Sequence, residues 1–340
     1  MDKMASKRCA RSSDSSIIHG SRAPGTPHRQ RGLALITAVL IVAIVATVAT
    51  TLALGEQVWF RQAQNMKDRA QAISLRQGAA SYAAILLGRD YVTIDHLREI
   101  WAKPLPPLPV EDGMIAFVVH DAQGLFNLNN LVRGGTEYKP DIDMFKRLLT
   151  LQRLDPGLSE ALVDWLDLNS DVRPGGAEDI EYLSLPQPYR AANLPLQSVD
   201  ELRLVKGFSA NAVEKLRPYV TALPLPTAIN VNTASEQVLA AMFTNLSPSV
   251  FEPLTKKRLT QPFKSGPEFL AELPPGTKTD VAYGTTTNYF LVTIDIRYGR
   301  LQRQTLTLIH RAAAGKAAVE WHQQPPLIVE AETEGNTAQR

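Results

Sequence analysis

Residues 33–54 (LALITAVLIVAIVATVATTLAL) run for 22 positions without a charged side chain. As an α-helix this segment is about 33 Å long, enough to cross the hydrocarbon of a bilayer. A buried helix of that length in a soluble protein should show a polar face, so a membrane-spanning helix is predicted. Arg29 and Arg31 precede the run, and Glu56 is the first charge after it. The positive-inside rule then leaves the head in the cytoplasm and sends the remainder outward. The apolar core of a removed signal peptide is about 7–15 residues, so this run is expected to stay.

The formal charge of +2 hides an uneven distribution. Residues 1–32 hold seven Lys/Arg and two Asp/Glu; taking these from the 36 and 34 of the whole chain leaves 29 basic against 32 acidic. A body that is net acidic is a poor coat for nucleic acid. The single cysteine, Cys9, lies in the basic head, which excludes disulfides and thiolate metal sites from everything after it. Beyond the apolar run, Glu56 to Gly88 contains no proline. Val58, Met66, Ala70, Ile73, Ala80, Ala84 and Leu87 form a helical stripe beside Gln62, Lys67, Arg69 and Arg76,. The two segments together predict one helix of about 56 residues, with Gly55 and Gly78 as soft points.

Arg31-Gly32 followed by Leu33-Ala34-Leu35 and a long apolar helix resembles the N-terminus of type IV pilins and pseudopilins. The resemblance implies that a prepilin peptidase cuts after Gly32 and that Leu33 becomes a methylated N-terminus, so residues 1–32 would be a cleaved basic leader. Most of that superfamily carries glutamate at mature position five, here Thr37. The chain is similar in this respect to the minor pseudopilin K family of type II secretion systems (general secretion pathway protein K). Gly124-Leu-Phe-Asn-Leu-Asn-Asn130, Asp164-Trp165-Leu166-Asp167, Gly176-Ala177-Glu178-Asp179 and Ile229-Asn-Val-Asn-Thr-Ala234 resemble it as well. A position-five carboxylate is costly in lipid and is kept where it meets the N-terminal ammonium of the subunit above. A subunit at the tip of the fibre has none above it, and Thr37 suits that place. The implied partners are other minor pseudopilins, the inner-membrane assembly platform and the prepilin peptidase. The 32-residue leader is long for the superfamily.

The expected fold is α+β: a pilin-like long N-terminal helix, membrane-spanning over 33–54 and amphipathic over 55–88, packed on an antiparallel sheet. Residues 104–109 (PLPPLP) read as a linker. Residues 114–120 and 124–129 read as two short strands joined by Asp121–Gly124. Downstream, 288–297 and 301–310 form the clearest hairpin, with Gly299 in the turn,. Residues 89–130 and 281–322 would build the sheet domain. The interval 131–280 would be a large α-helical insertion, with helices at 141–153, 157–166, 198–205, 209–219, 234–244 and 266–272. Ser198 with Glu201, and Thr233 with Glu236, have capping-box spacing,. The polar tail, 323–340, is expected to be disordered.

One stretch has the grammar of a metal loop. Counted from Asp167, oxygen donors fall at positions 1, 3 and 5 (Asp167, Asn169, Asp171), with Glu178 at position 12. That is EF-hand spacing, and hard oxygen ligands without His or Cys favour Ca²⁺. Position 6 is Val172 rather than glycine, and Pro174-Gly175-Gly176 implies a different backbone path. An EF-like calcium loop is therefore expected, with Asp164 and Asp179 as further candidate ligands. The alternative is a solvated Asp/Asn turn. The family resemblance favours structural calcium, which would tie the loop down without taking part in chemistry.

Two other functions compete. Leu204-Val-Lys-Gly207-Phe208 between short helices, and Ile229–Ala234, resemble helix-hairpin-helix or SAM-like units that hold phosphate in a glycine-rich turn. This would suit a membrane-anchored DNA-binding or uptake protein. The turn has one glycine, and 198–223 carries four Lys/Arg against three Asp/Glu, which is no basic patch. The run Lys256-Lys257-Arg258 is expected to be a solvated helix face. A periplasmic hydrolase would need more than His120-Asp121: the six histidines are accompanied by neither G-x-S-x-G nor H-E-x-x-H,. No catalytic site is predicted.

Overall fold

The computed structural model describes residues 30–89, 93–312 and 316–323. Residues 1–29 and those from 324 onward lie outside the described residues, and so do the expectations placed on them. Helix α1 spans Gln30–Arg89 without interruption, passing through both Gly55 and Gly78. The chain falls into two compact units that divide after Asn65. Within the first, residues 33–65 are exposed throughout, and the apolar stretch is long and hydrophobic enough to cross a membrane.

In the second unit the strands, in chain order, are β1 (Leu108–Val110), β2 (Gly113–Asp121), β3 (Phe126–Asn127), β4 (Val132–Arg133), β5 (Thr136–Glu137), β6 (Val220–Thr221), β7 (Ile229–Asn230), β8 (Tyr283–Gly284), β9 (Tyr289–Tyr298), β10 (Leu301–Arg311) and β11 (Ala317–Gln323). Five of them form one antiparallel sheet in the order β1-β2-β9-β10-β11. The expected hairpin is β9–β10, with Tyr298 opposite Leu301 and Gly299 at φ +55° in the turn. Its strict alternation sends Phe290, Val292, Ile294, Ile296 and Tyr298 to one face, where they join Ile115, Phe117 and Val119 of β2.

That face meets the second half of α1. Ala72, Ala79, Ala80, Ala83, Ala84 and Leu87 are buried against it, and Tyr82 sets its ring edge-on to Phe117 at 5.8 Å. Small side chains along the stripe let the helix backbone lie close to the pleated surface, and the large sheet residues fill the space.

Between β2 and β9 the chain leaves the sheet and builds a second, larger core. Its helices are α2 (Lys139–Leu151), α3 (Leu158–Leu166), α4 (Asp179–Leu183), α5 (Ala210–Leu216), α6 (Glu236–Ala241), α7 (Glu252–Arg258) and α8 (Gly266–Ala271). Helix α4 has no counterpart among the expected helices, and α7 carries the Lys256–Arg258 run expected on a helix; the segment expected at 198–205 is a 3₁₀ helix, Val199–Leu204. Residues 124–129 are not a return strand either. After the pair Phe126–Asn127 the chain coils into a 3₁₀ turn, Leu128–Leu131. The supposed proline linker supplies an edge strand, β1.

The asparagine-rich motifs explain the departure. Asn129 is buried; its Oδ1 accepts from Leu196 N at 2.8 Å, and its Nδ2 donates to the carbonyls of Leu196 and Leu223 at 3.0 and 2.9 Å. Asn127 accepts from Leu223 N at 3.0 Å and donates to Leu225 O at 2.9 Å. Asn130 clasps Thr227 through its N–H and C=O at 3.0 and 2.8 Å, and Asn232 clasps Phe263 at 2.9 Å both ways. Each side-chain amide thus imitates one rung of a β-ladder to a distant loop, satisfying buried backbone groups that would otherwise be orphaned.

The predicted caps are corrected. Ser198 is at the N-cap but makes no side-chain cap bond; Glu201 instead accepts from Gln197 N at 3.0 Å. Helix α6 is capped by Ser235, whose hydroxyl accepts from Val238 N at 3.3 Å. Thr233 is drawn away to a stronger acceptor, donating to the buried carboxylate of Asp121 at 2.5 Å. Arg258 departs from the expectation of a solvated face: it is buried and donates to Val231 O at 2.6 Å.

The helix–sheet contact yields a test. Ala83 is fully buried, so Ala83→Leu should overpack the interface and cost about 1–3 kcal/mol. Urea unfolding of the full chain in micelles would show this as a lower midpoint; an unchanged midpoint would contradict the close approach.

Candidate functional site

The residues expected to hold a metal lie at the end of α3 and the start of α4, joined by an irregular loop. Asp164 is in the last turn of α3 and Asp167 is its C-cap; both are almost wholly buried. Glu178 is the N-cap residue of α4 and is likewise buried. Asp164 Oδ1, Asp167 Oδ2 and Glu178 Oε1 each lack a hydrogen-bond partner. Carboxylates at a helix C-terminus also face the negative end of the helix dipole. Three buried anions with one orphaned oxygen each describe a place that lacks positive charge.

The electrostatics agree. Burial, followed among the raising causes by the Asp167 charge, pushes Asp164 up to about 6 in spite of the backbone N–H groups of Arg173 and Ala177. Burial and then the charges of Asp164, Asp167, Asp179 and Asp171 push Glu178 up to about 7. Asp167 is raised by burial, with Glu137 the largest like charge. The basic side chain in the loop, Arg173, offsets the rise at Asp164 and Asp167 only in part, because it is paired elsewhere. Arg173 Nε donates to Glu160 Oε2 at 2.6 Å, and its Nη1 pairs with Glu137; Glu160 also holds Lys146 at 2.5 Å.

The other candidates stand apart. Asn169 and Asp171 are exposed and bridged by an Asx turn, Asp171 N donating to Asn169 Oδ1 at 2.7 Å. Asp179 accepts from Ala191 N at 3.1 Å and pairs with Arg190 at 3.4 Å. Among the described residues no three His, Cys, Asp or Glu side chains are already arranged to hold an ion. The set that fits a cation on chemistry is Asp164, Asp167 and Glu178, by their orphaned oxygens. Gly176 completes the cradle: a Cβ there would collide with Asp164 Oδ2. Lys206 closes the rim, its Nζ donating to Gly176 O at 3.2 Å.

At the expected hairpin, Gly207 turns at φ +83° between the 3₁₀ helix and α5. Three of its four cations, Arg203, Lys206 and Arg217, are engaged, however. Arg203 pairs with Glu214 at 2.9 Å and Arg217 with Asp200 at 2.6 Å, while Lys256 pairs with Glu252 at 2.6 Å and Lys257 with Glu272 at 2.7 Å. His120-Asp121 is no dyad. Strand alternation exposes His120 and buries Asp121, whose Oδ2 accepts from Asn230, Thr233 and Thr287 at 2.8, 2.5 and 2.7 Å.

In the apolar run, Gly32 and Leu33 lie in the first turn of α1. Thr37 turns its hydroxyl onto its own helix, to Leu33 O at 3.1 Å and Ala34 O at 3.0 Å. Thr47, Thr50 and Thr51 close in the same way at 2.8 Å.

Comparison with known proteins decides the family. Models of the family described as type II secretion system (T2SS), protein K, match residues 124–225 and 229–287. The chain is 36% identical over 307 residues to the type II secretion system protein K of Pseudomonas aeruginosa, covering 85% of this chain and 91% of that one. The chain belongs to the type II secretion system protein K family. A further protein K, from Klebsiella pneumoniae, is 32% identical over 305 residues, covering 84% of this chain and 93% of that one. The solved structure of the GspK-GspI-GspJ complex from enterotoxigenic Escherichia coli contains a similar chain, with TM-score 0.71 and 27% identity, covering 78% of this chain and 99% of that one. A long N-terminal helix with a mixed helix-and-sheet body is thus the architecture of a protein K, and the asparagine motifs fall within or at the edges of the matched regions.

The raised carboxyls fix a pH dependence. Their folded values lie above the unfolded ones, so their contribution to stability is complete below about pH 4 and lost as pH rises through about 6 to 7,. In EDTA, the melting temperature of the full chain should therefore fall between pH 5 and pH 8. In the Asp164→Asn, Glu178→Gln double variant that fall should be smaller; equal slopes would remove the carboxylates from the account.

Proposed function

We propose that this protein is a minor pseudopilin of a type II secretion system, anchored in the inner membrane by residues 33–54, with its head cytoplasmic and its body periplasmic. It sits at the tip of the pseudopilus and helps initiate the fibre or limit its length while folded proteins are exported across the outer membrane. The observation that carries the tip position is the insertion of residues 122–288 between the adjacent strands β2 and β9. A second core larger than the sheet domain leaves little room for subunits to stack tightly above it. Thr37 is consistent, since its hydroxyl is satisfied within its own helix and asks nothing of a neighbour,. The solved GspK-GspI-GspJ complex supports two other minor pseudopilins as partners. The assembly platform and the prepilin peptidase are the remaining partners proposed. The protein itself carries out no catalysis. Immunogold labelling of pseudopili with an antibody to the insertion tests the position: gold at one end is expected, and gold along the length would refute it.

Processing is tested at the leader. Gly32→Leu should leave a precursor about 32 residues longer, by the extent of the leader, visible on a gel of membranes, and should stop secretion. Normal processing would overturn the cleavage assignment.

Calcium is the proposed structural ion. Asp164, Asp167 and Glu178 would hold it, and it would supply the positive charge that their buried oxygens lack, coupling loop order to metal. Asp167→Asn with Glu178→Gln should abolish a calcium-dependent rise in melting temperature at pH 7.5. A wild-type curve identical with and without calcium would dispose of the ion.

A further inference from the structure

Strand β11 covers only part of β10. The ladder runs from Leu306, opposite Gln323, to Arg311, opposite Ala317. Leu301–Thr305 has β9 on one side and, among the described residues, no strand on the other. The chain itself is poorly built to fill that edge. Shortly after Gln323 the sequence reads Pro325-Pro326, and proline has no N–H to give a ladder.

The two sides of the free edge differ in chemistry. On the α1 side, Arg303 shares its face with Ile296. A cavity of about 210 Å³ there is bordered by Arg69, Arg76, Arg303, Leu301 and Thr305. Among the described residues none of the three guanidinium groups meets a carboxylate, and Arg76 Nε is buried without any hydrogen-bond partner. On the opposite side, a groove of about 770 Å³ opens between the sheet and the insertion. Leu125, Val199, Leu291, Leu306 and Trp321 form its apolar wall, with Asp200, Glu214 and Arg217 also bordering it and Arg303 reaching its rim from the edge. Successive residues of a strand point to opposite faces, so a strand laid on this edge would present alternate side chains to arginine and to the groove.

We propose that the free edge of β10 receives an extended segment of a partner polypeptide in which carboxylates alternate with apolar residues. Its backbone extends the ladder of Leu301–Thr305, its carboxylates meet Arg69, Arg76 and Arg303, and its apolar side chains enter the groove. Main-chain bonds supply affinity and the alternating pattern supplies selection.

The test uses the full chain in micelles and a fluorescein-labelled octapeptide, Val-Glu repeated four times, read by anisotropy. Saturable binding is expected, with affinity about tenfold lower for Arg303→Glu and unchanged for Lys278→Glu, an exposed lysine elsewhere. Both variants should melt as the wild type does. A Val-Lys repeat should not bind, and alternate N-methylation of the Val-Glu peptide should abolish binding, because it removes ladder donors while keeping charge. Absence of binding, indifference to Arg303→Glu, or undiminished binding of the N-methylated peptide would overturn the proposal. Binding that emerges only when residues 324–340 are deleted would assign the edge to this chain's own tail and overturn it equally.

Discussion

Two buried carboxylates tie the halves of the body together. Asp95 accepts from Thr287 N at 2.6 Å and pairs with Arg311 at 2.5 Å, and Arg311 lies over the Phe290 ring at 4.8 Å. Asp121 receives Asn230, Thr233 and Thr287, while Asn230 also reaches Asp95 O at 3.1 Å. The ends of β2 and β10, the chain just before β9 and the motif opening at Ile229 thus share one set of polar groups. Burial pushes Asp121 above its ordinary value against those hydrogen bonds. Removing one partner from such a buried network strands another, at a cost of about 3–5 kcal/mol for an ion pair. The sheet and the insertion are consequently joined by this polar network, although the insertion's core is a separate cluster of side chains.

That coupling gives the acidic loop its importance. The loop lies beyond α3, whose Trp165 packs edge-on to Tyr182 of α4 at 5.1 Å. Tyr182 accepts from Lys206 N at 3.2 Å, and Asn193 N donates to Trp165 O at 2.9 Å. A cation neutralising Asp164, Asp167 and Glu178 would therefore brace α3, α4 and the following coil against each other. No other buried cluster in the described residues leaves three carboxylates each with an orphaned oxygen.

Legibility followed the range of the forces involved. Helix α1 and the β9–β10 hairpin were plain because each is set by local periodicity and a glycine turn. The acidic residues were visible by spacing, but Asp179 and Asn169 could not be separated from Asp164 and Glu178. Only the tertiary contacts of Ala191 and Arg190 turn Asp179 aside. The asparagines of the motif beginning at Gly124 sit among Leu and Phe in a stretch with the look of a strand. Their true partners, Leu196, Leu223 and Thr227, are remote in sequence, and nothing local announces them. Thr233 leaves its capping-box spacing for the same reason. A hydroxyl three residues before a glutamate is a good cap until a buried carboxylate competes for it. Three asparagines within four residues, flanked by apolar positions, were the available sign that side-chain amides were needed inside.

The four threonines of the apolar segment have a mechanical consequence. Each returns its hydroxyl to a carbonyl three or four residues back, so the helix offers hydrocarbon alone to its surroundings. Exchange of lipid neighbours for protein neighbours then breaks no hydrogen bond, and its free energy is governed by van der Waals contact. Along residues 33–54, such a rod presents no hydroxyl that sideways packing would have to satisfy.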